Sequence, residues 1–199
     1  MKSPPWRVLL IGGGAAAGKT TSAIAIARRY GISYAPADGL WRALMRATSP
    51  TSHPALHHFE PSDDDLRLGA EELCRRHIET ADAVSDALEA VIEEHMETGD
   101  SAVIEGAWIT PAAALRFEVL YPHRAIRSVF IHEPDDDVVL RSMLSRSRQH
   151  RPSERKRIIA RTCWLYGNWA RDEATRLALP VVASRPLDTL VERIIAPAW

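Results

Sequence analysis

Residues Gly13-Gly14-Ala15-Ala16-Ala17-Gly18-Lys19-Thr20 satisfy the pattern G-x-x-x-x-G-K-[ST]. Each part of that pattern has a task in holding a nucleoside triphosphate. Glycines and small residues let backbone N–H groups curl around phosphate oxygens, and the start of a helix adds positive partial charge. Lys19 reaches the β- and γ-phosphates, and Thr20 offers a hydroxyl to Mg²⁺. Thr21 extends the same nucleotide-binding run. The alternative is a chance Gly/Ala-rich turn. The apolar run WRVLLI before the motif and the helical pattern after it favour the phosphate loop.

Further chemistry-bearing residues fall at the ends of other apolar runs. Asp38 follows a short strand-like segment, and Arg42 stands four residues on, one helical turn away. In an open parallel sheet ligands bind outside the carboxyl ends of the strands, which puts Asp38 on the phosphate-loop edge. Asp38 then serves an acceptor as base or hydroxyl-orienting group, and Arg42 clamps an anionic substituent. The plainer reading is an N-cap aspartate with an i,i+4 ion pair. Glu105-Gly106 ends another apolar run, SAVIEG. Its carboxylate can hold Mg²⁺ or orient a nucleophile, and the glycine leaves room for a ligand; the alternative is an idle loop acid. Trp41 and Trp108 flank these acids and either wall an acceptor pocket or serve as packing.

From Arg141 to Arg161 the chain concentrates arginine and lysine against a single glutamate, Glu154. A lid that closes such cations on transferring phosphates would stabilise transition-state charge and exclude water. Arg146 and Arg148 are the first candidates to engage ATP; for most of the others a solvated helix face suffices. The formal net charge of −1 weighs against a nucleic-acid or anionic-membrane partner. Cys74 and Cys163 show no metal-ligand spacing and read as idle thiols in a reducing compartment. His53, His57 and His58 lack regularly spaced metal-binding partners and read as surface or substrate-loop residues. No apolar run has transmembrane length, and the glycines after Ile11 break any signal-peptide helix, so a cytoplasmic protein is expected.

The elements that must position these residues alternate. Strands are expected at Trp6–Ile11, Ile32–Ala35, Ser101–Ile104, Ile126–His132 and Pro180–Ala183. Helices are expected at Gly18–Tyr30, Leu40–Ala47, from Ser62 with a break to about Thr98, from Thr110-Pro111, after Pro134, and at Pro186–Ile195. The 199 residues make one three-layer α/β domain with a parallel sheet. The helical stretch between the second and third strands exceeds what a crossover needs, so a substrate flap is expected at about 47–98 and the lid at about 146–157.

Taken in order, GGGAAAGKTT, strand-Asp38-x-x-x-Arg42, IEG at 104–106, the Arg-rich segment and VVASRPLDTLVERI resemble the P-loop small-molecule kinases of the nucleoside-monophosphate-kinase superfamily. IEGAWITP and LHHFEPSD look most like the 2-phosphoglycerate kinase-like branch; chloramphenicol phosphotransferase-like and zeta-toxin-like kinases are more distant. The resemblance implies a P-loop NTPase fold with sheet order 2-3-1-4-5, and ATP-Mg²⁺ as donor. It makes Lys19 and Thr20 phosphate and Mg²⁺ ligands, Asp38 the base or acceptor-orienting group, and Arg146 and Arg148 lid arginines. It places Arg185 in the adenine-side loop. Relatives often carry a second acid near the phosphate loop or on the second strand, where this chain has Ala35-Pro36-Ala37. A kinase for a small acceptor is the expected activity. A slow ATPase acting as a regulatory switch and a polynucleotide-end kinase are the alternatives. No NKxD motif for reading guanine is present.

Overall fold

A computed structural model describes residues 3–59, 65–121, 125–145 and 152–198. Its strands are β1 (Val8–Gly13), β2 (Ser33–Pro36), β3 (Ala102–Glu105), β4 (Ile126–His132) and β5 (Val181–Ala183). All pair in parallel, in the order β2-β3-β1-β4-β5. This is the order the family resemblance implies. The helices are α1 (Lys19–Tyr30), α2 (Ala37–Ala47), α3 (Asp65–Thr98), α4 (Pro111–Leu120), α5 (Asp136–Ser145), α6 (Glu154–Arg176) and α7 (Leu190–Ile195).

β1 lies at the centre, and every one of its residues is buried. Side chains alternate across the sheet. Val8 and Leu10 enter one core with Leu88 and Ile92 of α3, Phe117 of α4 and Tyr166 of α6. Leu9 and Ile11 enter the other with Ile26 of α1 and Ile194 of α7. Each such buried side chain contributes about 1.5–3 kcal/mol relative to exposure. The continuous apolar run Val8–Ile11 is thus explained by a strand covered on both faces, which starts at Val8 rather than Trp6.

Several boundaries differ from the sequence reading, each for a local reason. β1 runs two residues past Ile11, because Gly12 and Gly13 still pair with Phe130 and Ile131. A side chain at Gly12 would have its Cβ 2.3 Å from the Phe130 ring, so the strand can continue there only without one. α2 starts at Ala37 rather than Leu40, with Pro36 as its N-cap. Asp38 therefore sits inside the first turn of the helix. The expected break in α3 falls at Gly69, whose φ of 72° and ψ of 171° interrupt the helix; Ser62, its expected cap, lies outside the described residues. Thr110 caps α4 as anticipated, accepting from the Ala113 N–H, with Pro111 in the first turn. Beyond the basic segment the 23-residue α6 opens on Ser153, whose hydroxyl accepts from the Lys156 N–H. It packs along α3 and was not anticipated as a helix.

Candidate active site

β1 delivers the chain to Gly13, which turns out of the sheet at a φ of 120°. A Cβ there would lie 2.1 Å from the Ile131 carbonyl oxygen, so the position excludes any side chain. The loop then passes Ala16, held at a φ of 64°, and Gly18, at 90°, before α1 begins at Lys19. A non-glycine residue in the left-handed region marks a loop whose shape is imposed by its surroundings. Gly14 lies against α6: its absent Cβ would sit 2.9 Å from the Gly167 Cα and 3.0 Å from the Cys163 carbonyl oxygen. The first turn of α1 carries no acid that would compete for an anion. Lys19, nearly buried, folds back and donates from Nζ to the Gly14 carbonyl at 2.6 Å.

A cavity of about 170 Å³ is lined by residues 15–21 of this loop together with Asp38, Glu105, Gly106 and Ala107. The structure therefore brings together most of the residues selected from sequence. Glu105 ends β3 beside Ile11 of β1 and is buried. Its Oε1 accepts from the Thr20 hydroxyl at 3.0 Å and from the Tyr34 hydroxyl at 3.0 Å. Burial, with Glu105 beside it, pushes the Tyr34 phenol up to about 12, so Tyr34 remains the donor. Tyr34 was not singled out from sequence. It lies on β2, one residue before the Ala35-Pro36-Ala37 stretch. Gly106 is required by packing: its Cβ would lie 2.8 Å from that of Ala37, at the start of α2. Asp38 is exposed, and among the described residues no hydrogen bond or ion pair occupies its carboxylate. Arg42 is exposed too, makes no ion pair with Asp38, and does not join the lining of this cavity.

On the other side of the loop a cleft of about 720 Å³ is lined by Ala16, Gly18, Thr21, Arg141, Arg185 and Leu187, among others. Arg185 donates from Nε to Glu133 at 3.3 Å, and Ser184 donates to the same carboxylate oxygen at 2.6 Å. Glu133, buried after β4, thus fixes the loop that follows β5. The basic segment divides. Arg141 pairs with Asp135 at 3.3 Å. Arg161 pairs with Asp136 at 3.2 Å and lies over the Trp164 ring. Residues 154–157 form the first turn of α6, while Arg146 and Arg148 lie outside the described residues.

Trp108 lines a different, apolar cavity of about 280 Å³, with Trp41, Phe59, His77 and Cys163 among its neighbours. Trp41 and Trp108 stack obliquely with centroids 4.9 Å apart, and His77 stacks nearly parallel on Tyr166 at 4.0 Å. The Tyr166 hydroxyl donates to the Ala107 carbonyl, tying α6 to the strand end that carries Glu105. Burial, with the Lys19 charge nearby, pushes the His77 imidazole down to about 3, so it is neutral at physiological pH. Burial also raises both free thiols, Cys74 and Cys163, to about 11, which keeps them protonated. His57 and His58 bond to Thr48 and Glu79, at 3.1 and 3.0 Å.

This sheet order, with the phosphate loop leaving its central strand, is the P-loop kinase fold. Solved structures share it over almost the whole chain. A gluconokinase from Sinorhizobium meliloti 1021 aligns with a TM-score of 0.56 at 16% identity, covering 99% of this chain and 93% of its own. A shikimate kinase from Bacteroides thetaiotaomicron aligns with a TM-score of 0.53 at 17% identity, covering 94% and 93%. No family model matches the sequence, and no curated protein matches it. No helix among the described residues is long and apolar enough to cross a membrane.

Proposed function

We propose that this protein is an ATP- and Mg²⁺-dependent kinase that transfers the γ-phosphoryl group to a hydroxyl of a small-molecule acceptor. One observation carries the reading: two carboxylates face the phosphate-loop cavity, and their surroundings differ. Glu105 is buried and accepts from Thr20 and Tyr34, whereas Asp38 is exposed and open to an incoming group. A metal-side acid and an acceptor-side acid are what in-line transfer requires. A nucleotide switch needs no acid of the second kind. The kinase names of the two fold neighbours agree with transfer.

Thr20 and Glu105 fit a magnesium ion. Hard oxygen donors suit it, and their 3.0 Å separation matches adjacent positions of an octahedron with metal–oxygen distances of about 2.1 Å. When bound, the ion would neutralise charge on the β- and γ-phosphates. Lys19 leaves the Gly14 carbonyl for those phosphates. The acceptor hydroxyl oxygen attacks the γ-phosphorus, and its proton passes to Asp38. The bond to the β,γ-bridging oxygen breaks, and ADP leaves with that electron pair. Thr21 and Arg185 border the cleft on the nucleoside side, and Arg146 and Arg148 are assigned to a lid at about 146–157. Residues of about 47–98 shape the acceptor side, and Arg42 awaits an anionic group there. A 2-phosphoglycerate-like acid, a nucleoside or another alcohol are the acceptors to be distinguished, in a cytoplasmic setting.

The test is acceptor-dependent ADP release across a pool of acids, nucleosides and alcohols. Lys19→Ala is expected to abolish it. Asp38→Asn is expected to lower turnover by about 10²–10⁴-fold with ATP affinity retained. Full turnover in Asp38→Asn removes the acceptor-side role.

A further inference from the structure

The apolar cavity beside the phosphate loop carries a chemical signature of its own. Among the described residues, three buried side-chain nitrogens have no hydrogen-bond partner: Trp6 Nε1, His77 Nε2 and Trp108 Nε1. Two of the three belong to rings that line this one cavity. Buried polar atoms are nearly always paired, so each orphan needs an explanation. The Trp6 nitrogen is alone at the far end of the sheet, whereas His77 and Trp108 stand with ring centroids 4.9 Å apart.

We propose that this cavity is the acceptor's binding subsite and takes an uncharged aromatic ring with a hydrogen-bond acceptor on its edge. The inference rests on the kinase reading and adds the class of alcohol. Four features support it. The walls are flat rings, with Trp41 against Trp108 at 4.9 Å and Phe59 edge-on to His77 at 5.2 Å, which suits a stacked or edge-on aromatic guest. The Trp108 indole N–H can only donate, so the guest must accept. Among the described residues no carboxylate lines the cavity, and the one cationic lining residue, Arg155, is exposed. Its volume of about 280 Å³ far exceeds the ~30 Å³ share of a single bridging water and approaches the ~300 Å³ lower end of small-ligand pockets.

The location suits the chemistry. Ala107 lines the phosphate-loop cavity, and its neighbour Trp108 lines this one. Cys163, on the cavity wall, has its carbonyl against Gly14 of the loop. A ring seated here carries its hydroxyl substituent toward Asp38 and the γ-phosphate. A polyhydroxy acid would instead leave its own hydroxyls without partners among the aromatic walls.

The experiment uses the full chain. 4-Methoxybenzyl alcohol and 3-pyridinemethanol are titrated calorimetrically in the presence of ADP-Mg²⁺, against gluconate and glycerate. The same four compounds are then tested for stimulation of ADP release from ATP. The aromatic alcohols are expected to bind and to stimulate release; the two acids are not. Trp108→Phe keeps the ring and deletes the donor, and is expected to weaken the aromatic alcohols about tenfold. Leu73→Phe fills the cavity and is expected to weaken them further, with ADP titration reporting whether the variant is folded. Acids that stimulate release with an affinity indifferent to both substitutions leave the kinase reading intact and overturn the ring subsite. Aromatic alcohols that bind, respond to both substitutions and never stimulate release overturn the cavity's assignment as the acceptor subsite; the kinase reading falls only if the whole acceptor pool fails to stimulate release. No binding of either alcohol at millimolar concentration overturns the proposal.

Discussion

The phosphate-loop cavity and the aromatic cavity share the wall at residues 106–108, yet they are made from different parts of the chain. The first is shaped by backbone, from one contiguous run between β1 and α1, closed by the ends of β3 and α2. The second is shaped by side chains drawn from α2, α3, α6 and the segments between them. Backbone sites follow from local sequence, since glycine positions and a helix start determine them. Side-chain sites follow from how helices pack, which no short motif encodes. On the proposed reading the first recognises what all nucleotides share, and the second is free to recognise something particular.

Substitutions can break this contrast. The largest effect is expected from Gly13→Ala. The added Cβ meets the Ile131 carbonyl at 2.1 Å, and the φ of 120° is unfavourable for any side chain. Backbone strain of about 1–3 kcal/mol plus the clash should reduce ADP affinity by about 10²-fold or more, read by calorimetry. Survival of full affinity would mean that the loop is not shaped by its backbone. Glu105→Gln should act more mildly. The amide oxygen still accepts from Thr20 and Tyr34, but the charge is gone. Turnover should fall about 10–100-fold, with a raised Mg²⁺ requirement and little change in thermal stability.

The smallest effect belongs to the aromatic side and concerns pH. His77 is held neutral by burial, down to about 3 in the fold, against about 6.5 in the unfolded chain. Between those values the unfolded chain binds the extra proton, so stability is complete above pH 6.5 and falls as pH drops. At pH 5 the loss should be about 2 kcal/mol, measured by urea unfolding. His77→Phe keeps a ring against Tyr166 and should flatten that slope. An unchanged slope would remove His77 from the neutral wall of the cavity.

What was legible in the sequence follows the same division. Gly13 to Thr21, Asp38 and Glu105 stand out because each lies at a strand end or in a fixed-spacing motif, and the sheet order follows from family likeness. Trp108 was seen beside Glu105, but its partners were not. His77 sits within the long α3 with no spacing to mark it, and Tyr166 lies on α6, which the basic segment before it obscured. Tyr34 left a faint trace: a polar ring on a short strand that ends beside the phosphate loop. Residues that act through a tertiary contact leave no signal in their neighbours along the chain.

Gly14 and Gly167 meet almost backbone to backbone, with a Cβ on the second falling 3.4 Å from the Cα of the first. One belongs to the loop between β1 and α1, the other to the helix that backs the aromatic wall. The crossing is one-sided. A Cβ on Gly14 would sit 2.9 Å from the Gly167 Cα and 3.0 Å from the Cys163 carbonyl oxygen, so Gly14 cannot gain bulk unless α6 moves, whereas a Cβ on Gly167 makes only an ordinary contact. Any change that thickens Gly14 therefore pushes α6 outward and opens the aromatic cavity with it, so the shape of one cavity sets a limit on the other through a single missing methyl group.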